Sequence, residues 1–319
     1  VSDTAASRFR HKSVIRGALG PIFGAACFLA TLSGVLVLAL LLGSILTAAL
    51  SGEPHHPWYA VGPNVVKLGR LIAHLATRPQ STNPATAGYQ VGIAGTLWLL
   101  VLVALMGIPV GIGAGVFLEE YLPRGRTRRV IQTNISNLAG VPSIVYGILG
   151  LAVFVRAFGN KHLAMGEILL AGVFTLSLLI LPIIVIASQE ALRAVPQSLR
   201  QAALALGATR WQVVRDHVLP SAMPGILTGT ILGLSRAIGE TAPILMVGAA
   251  GSIRRPPRGP LDLYSALPVE IYNYAREPNQ SKYQVVAAGG ILILVAILLV
   301  MNAGAIIIRN RFKRFHRAT

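Results

Sequence analysis

Arg236 and Glu240 are the residues in this chain best suited to do chemistry. They stand four apart within LSRAIGETAPIL, between long apolar runs. That spacing puts both on one helix face, where they can bridge each other. A charge at the centre of a bilayer costs at least about 2.5–3.5 kcal/mol, so such residues normally pair or border a wet path. Arg236 brings a permanent charge and five donors suited to a tetrahedral oxyanion. Glu240 would hold the arginine and, by repelling a bound anion, keep that anion from being trapped. Ser235 and Thr241 flank the two and join them as candidate path residues. A structural ion pair at a subunit contact uses the same residues, and the sequence leaves that reading open.

Other chemistry is missing. No nucleophile–base set is visible, and neither His55-His56 nor the other histidines have metal-ligand spacing. The single cysteine, Cys27, lies in an apolar run and excludes an intrachain disulfide or a cysteine metal cluster. No cofactor or metal is expected, and an enzyme with its own reaction is disfavoured.

The elements that position the pair are membrane helices. The 319 residues are 54% hydrophobic and 12% charged, with mean hydropathy +0.65, where a soluble chain carries about a quarter charged residues. Runs of roughly 20 apolar residues recur, enough to cross a bilayer as helix. The expected fold is an all-α polytopic membrane protein with six spans: about 18–50, 91–118, 135–158, 167–187, 223–249 and 283–308. A polar tail (1–17) precedes the first span, which is expected to stay uncleaved. Segment 51–90 is polar, and its VVKLGRLIAHL has helical amphipathic spacing that suits a membrane surface. Gly107, Gly111 and Gly115 in the second span, and Gly225, Gly229 and Gly233 in the fifth, form two small-residue stripes for close helix approach. Pro243 predicts a kink by freeing the Gly239 carbonyl.

Six spans put both termini on one side. The tails and the loops 119–134 and 188–222 hold 17 of the 28 Lys and Arg, and the opposite loops hold 9. The positive-inside rule makes that side, with both termini, cytoplasmic. The net charge of +17 is spread between apolar runs, which points to a bilayer and not to nucleic acid. Segment 250–283 pairs arginines with the amphipathic SALPVEIYNYA. It is expected either to draw an anion inward by its field or to cap the outer end of the bundle.

The loop 188–222 is too long and too apolar to be a mere connector. A short Ala/Leu helix should stop at Gly207, and a second piece, Ala208–Val218, should end at Pro220. Its uncovered apolar surface suits insertion into a groove on a partner, and a helix lying against the bilayer is the alternative.

Here a resemblance becomes specific. Gln201-Ala202-Ala203, Gly207 and Leu219-Pro220 fall on the spacing of the cytoplasmic coupling loop of ABC-importer membrane subunits, with Gln201 for the usual Glu and His217 for the usual Ile. The resemblance makes Gln201, Ala202, Ala203, Gly207, Arg210, Leu219 and Pro220 the ATPase-coupling candidates, with Trp211 beside them. LSRAIGETAPIL, PSIVYGILGL and LPVEIYNYAREP resemble the phosphate-importer permeases, of the PstA type more than the paralogous PstC type. Residues 91–308 would then be a type I permease core and 309–319 a basic cytoplasmic tail. The implied partners are a PstC-type permease, a PstB-type ATPase dimer and a PstS-type phosphate-binding protein, in a bacterial plasma (inner) membrane. The chain has no phosphate loop of the Gly-x4-Gly-Lys-Ser/Thr kind, so ATP would be bound and hydrolysed by a partner. Alternatives are a permease for another oxyanion, a PstC-type paralogue, or a secondary transporter or channel. The last usually shows inverted repeats, and none is visible.

Overall fold

The computed structural model describes residues 3–50, 64–159, 163–249, 253, 255–278 and 280–315. His55 and His56, Arg254 and residues 316–319 lie outside them. Among the described residues the chain is helical, with one isolated antiparallel bridge, Ile168 to Leu263. The helices are α1 (Asp3–Leu50), α2 (Asn64–Thr77), α3 (Gln90–Val116), α4 (Arg126–Ala139), α5 (Ser143–Gly150) and α6 (Leu169–Arg193). They continue as α7 (Gln197–Ala205), a short α8 (Arg210–Gln212), α9 (Leu219–Gly239), α10 (Ala242–Met246), α11 (Leu267–Ala275) and α12 (Gln280–Phe315). Wide π turns cover Phe117–Tyr121, Leu151–Val155 and Val213–Val218.

Five helices are long and apolar enough to cross a membrane, and six regions do so if the bent pair, α4 with α5 and its π extension, is counted as one span. The chain is a multi-pass membrane protein. The six regions overlap the expected spans, with two corrections. The fifth covers Arg210–Gly239 and not 223–249. The third is not one continuous helix: Arg126–Ala139 and Ser143–Val155 meet at 100°. Pro142 pushes the residue before it out of the α region, and Gly140 caps the end of α4, so the helix cannot run on. The polar connector 119–134 is itself mostly helix. The N-terminal tail is likewise not separate, because α1 already begins at Asp3.

α6 is the central post. In its apolar stretch 67% is buried, against 6% for α12 and none for α1, which therefore turns its apolar surface outward. Both glycine stripes grip it. Gly107, Gly111 and Gly115 of α3 face Ile180, Ile184 and Ser188, and a Cβ on Gly111 would sit 2.6 Å from the Ile184 side chain. From the antiparallel α9, Gly225 and Gly229 face Ala191 and Ala187, and Gly233 faces Ile184. Van der Waals contact is the main attraction between helices in lipid, so bare backbones against α6 maximise it.

α2 forms as expected, and its apolar face packs on protein. Leu71 and Leu75 are fully buried, with Leu75 against Gly289 of α12. α11 wedges between α3 and α12, with Leu267, Val269 and Glu270 inaccessible. The Thr96 hydroxyl accepts the Leu267 amide at 2.9 Å, and Gly95 lies against the Ser265 carbonyl. This wedge closes the bundle at the end opposite the 194–218 loop.

Candidate functional site

The Arg236 Nε donates to Glu240 Oε1 at 3.0 Å, so the anticipated bridge is made. Its depth follows from α9: Gly233, one turn earlier, packs on Ile180 and Ile184 near the middle of α6. The two guanidinium terminal nitrogens have no acceptor among the described residues. The Arg236 side chain is 40% exposed and that of Glu240 17%, so the cation presents itself while the carboxylate backs it.

The local backbone explains why the pair stands out. The expected kink is a full break: α9 ends at Gly239, Glu240 is extended (φ −78, ψ 114), and α10 restarts at Ala242 with Pro243 in its first turn. Proline has no amide to give the Gly239 carbonyl, whereas in a first turn none is needed. Thr241 precedes α10 without a capping hydrogen bond from its side chain. Ser235 turns elsewhere: its hydroxyl lies 2.8 Å from both the Ile231 carbonyl and Asn302 Oδ1, and ties α9 to α12. α5 braces α10, with Gly147 against Pro243 and Met246. Tyr146 on α5 is within electrostatic range of Arg236, and its hydroxyl donates to the Leu138 carbonyl at 2.8 Å across the α4–α5 bend.

The second site is the loop. α7 ends in a turn at Gly207 with φ +83, the left-handed region that favours glycine. Gln201, Ala202 and Arg210 are exposed, whereas Ala203 is buried among Leu192, Val213 and Val218 and so faces the loop's own core. The second helical piece does not end at Pro220. A capping box between Thr209 and Gln212 starts it, and it runs through the π turn into α9. Pro220 lies in α9's first turn, after the wide π turn, and Leu219 is half-buried beside it. The loop leaves Leu204 (50% exposed), Leu206 (89%) and Trp211 (57%) uncovered, an apolar face too large to be incidental.

Two groups escaped the sequence reading. Glu119 and Glu120, in the π turn closing α3, bond arginines of three other stretches of chain; a Glu-Glu pair directly after an apolar run was the available signal. Glu270 on α11 is fully buried against Gly92. Burial pushes its carboxyl up to about 7; Ser265 and the Gly92 amide pull the other way, but neither closes a hydrogen bond, so burial prevails. Nothing in LPVEIYNYA distinguishes this inward glutamate from an exposed one.

A central helix gripped by two glycine-bearing neighbours, a broken helix carrying a charge at mid-depth and a protruding apolar loop define a membrane-spanning permease subunit. Residues 107–314 match the family described as binding-protein-dependent transport system inner membrane component, and the chain belongs to it. Among its relatives is the probable ABC transporter permease protein YqgI of Bacillus subtilis, 32% identical over 75% of this chain and 83% of that one. Phosphate transport system permease protein PstA 1 of Mycobacterium tuberculosis is 35% identical over 70% of each chain. PstA 2 of Mycobacterium bovis is 34% identical over 78% of this chain and 80% of that one. Of solved structures, the inward-facing MetNI methionine ABC transporter aligns with TM-score 0.56 at 22% identity, over 69% of this chain and 94% of that one. A bacterial alginate ABC transporter in complex with an alginate pentasaccharide-bound periplasmic protein gives 0.55 at 18%, over 85% and 92%. These structures share the fold. Subunits of this kind are not themselves catalytic, and they work with an ATPase and a substrate-binding protein.

Proposed function

We propose that this chain is the PstA-type permease subunit of an ATP-driven phosphate importer and lines half of its path. The observation that carries the reading is the Arg236 guanidinium, held by Glu240 at a helix break with its terminal nitrogens unengaged, in a chain whose relatives are phosphate permeases. The other half would come from a PstC-type subunit, energy from a PstB-type ATPase dimer, and phosphate from a PstS-type protein at the α11 end. The 194–218 loop and both termini face the cytoplasm of a bacterial plasma membrane. ATP binding on the partner displaces the loop around Gly207, the core rocks, and the Arg236 region exchanges outer for inner exposure.

The guanidinium would meet a phosphate oxygen through charge-assisted hydrogen bonds of about 1.5–3 kcal/mol each, so losing even one costs about 10- to 160-fold. In cells lacking this protein, wild type should restore radiolabelled phosphate uptake, with sulfate and molybdate not competing. Arg236→Gln should reduce uptake by at least about 10-fold while the complex still assembles. Full uptake by the variant removes Arg236 from the path. Rescue of another anion's uptake, but not of phosphate's, removes the substrate assignment.

A further inference from the structure

Glu119 and Glu120 join four stretches of chain at the loop end of the bundle. Glu120 Oε1 accepts from the Arg200 guanidinium of α7 at 2.7 Å. Arg200 also donates to the carbonyls of Val195 and Leu192, at 2.7 and 2.8 Å, which fixes α7 to the end of α6. Glu119 Oε2 accepts from Arg193 at 3.0 Å and from Arg128 of α4. Both carboxylates, Arg128 and Arg200 are between 11% and 15% exposed, and only Arg193 opens to solvent. Glu119, Arg124, Arg128, Arg193 and Arg200 line a cleft of about 450 Å³. Arg128, Arg193 and Arg200 each already hold a carboxylate, so the cleft is a set of ties and not a cradle for an anion.

We propose that these two adjacent glutamates are the relay by which movement of α7 reaches α4 and, through the 100° elbow, the Arg236–Glu240 pair. Along the backbone α7 leads back into α6 and forward through α8 and the π turn into α9, and in neither direction straight into α4. From α6 the way to α4 runs through side-chain contacts, the Gln189–Gln132 hydrogen bond among them. The ionic path is short: Arg200 to Glu120, then the neighbouring Glu119 to Arg128 on α4. α4 has no buried residue of its own to anchor it, and it holds to α6 through Gln132 and Gln189 at 2.9 Å. A helix so lightly packed follows whatever its ion pairs follow. Beyond the elbow, Tyr146 bonds back to Leu138 and Gly147 seats Pro243, so a tilt of α4 arrives at the break that bears Glu240. Adjacent carboxylates on one π turn suit this task, because that turn is continuous with α3, which the glycine stripe locks to α6.

The inference rests on the permease reading but not on phosphate as substrate. It assigns Glu119, Glu120, Arg128 and Arg200 as positioning residues for coupling. In the reconstituted complex with ATPase, sister permease and binding protein, Glu120→Arg and Arg200→Glu should each retain ATP hydrolysis yet lose at least about 10-fold in substrate moved per ATP. The double exchange Glu120→Arg/Arg200→Glu should recover most of the loss, as a paired charge regains its partner. Singles that keep the wild-type ratio overturn the relay, as does a double no better than its singles in a complex that assembles. Should the reversed charges prevent assembly, the isosteric Glu119→Gln/Glu120→Gln variant serves. With Cys27→Ser as background, spin labels at Ser198→Cys on α7 and Thr133→Cys on α4 should keep one distance with and without nucleotide. In the glutamine variant that distance should change on nucleotide binding; an unchanged distance overturns the relay. Because the labels report without transport, a wrong substrate and a wrong relay give different results.

Discussion

Glu270 sets its own pH dependence. Its carboxyl titrates near 7 in the folded chain, against an ordinary value of 4.5. Below pH 4.5 both folded and unfolded states are protonated and burial costs nothing. Between 4.5 and 7 only the folded state keeps the proton, so stability falls as pH rises. Above 7 the buried charge exerts its whole penalty, about 3 kcal/mol at 1.36 kcal/mol per pKa unit. Glu270→Gln should flatten this slope: the purified complex should melt higher than wild type at pH 8 and close to it at pH 5. An unaltered slope would mean that the carboxyl is not the titrating group. At this scale the sequence was uneven. The Arg236–Glu240 bridge followed from a four-residue spacing, because a helix fixes which side chains meet. The inward turn of Glu270 did not, since it depends on where α11 sits against Gly92, a contact made by residues far apart in the chain.

Between elements, the fit of bare backbone to side chain decides. A methyl group on Gly111 would stand 2.6 Å from Ile184, whereas Gly113, two residues on, has nothing within 4 Å. Gly111→Ala should therefore lower the complex's stability by about 1–3 kcal/mol through overpacking. Gly113→Ala should be neutral or slightly stabilising, since alanine is the better helix former. Equal melting temperatures for the two variants would show that α3 and α6 do not meet through this stripe. Glycines four apart announced both stripes, but not that they grip the same helix from two sides. The elbow at Gly140–Pro142 was written in the residues, and a hydropathy reading averages it away: a window over 135–158 registers only apolar character. The continuation past Pro220 was hidden for the opposite reason. A proline after a polar stretch reads as a stop, and here it opens the next helix.

For the molecule as a whole, the lysines and arginines predict sidedness, and the lone cysteine makes it measurable. Cys27 is exposed on α1. After Cys27→Ser, a membrane-impermeant maleimide applied to intact spheroplasts should label Ala275→Cys and reach Ser198→Cys only after permeabilisation. The reverse pattern would invert the orientation. The number of spans was legible because lipid demands about 20 apolar residues each time. The π turns were not, since they have no composition of their own. Each holds one more residue per hydrogen-bonded ring than an α turn. Removing one residue from Val213–Val218 would let that stretch rewind as ordinary helix, and because the wide turn had absorbed its extra residue, everything beyond would keep nearly the same orientation. Gly225, Gly229 and Gly233 would still face α6, whereas one residue removed from the ordinary helix at 219–224 would turn all three away by about 100°. At these joints the spare residue uncouples chain length from orientation, and one turn further along the same deletion is a rotation of a whole helix.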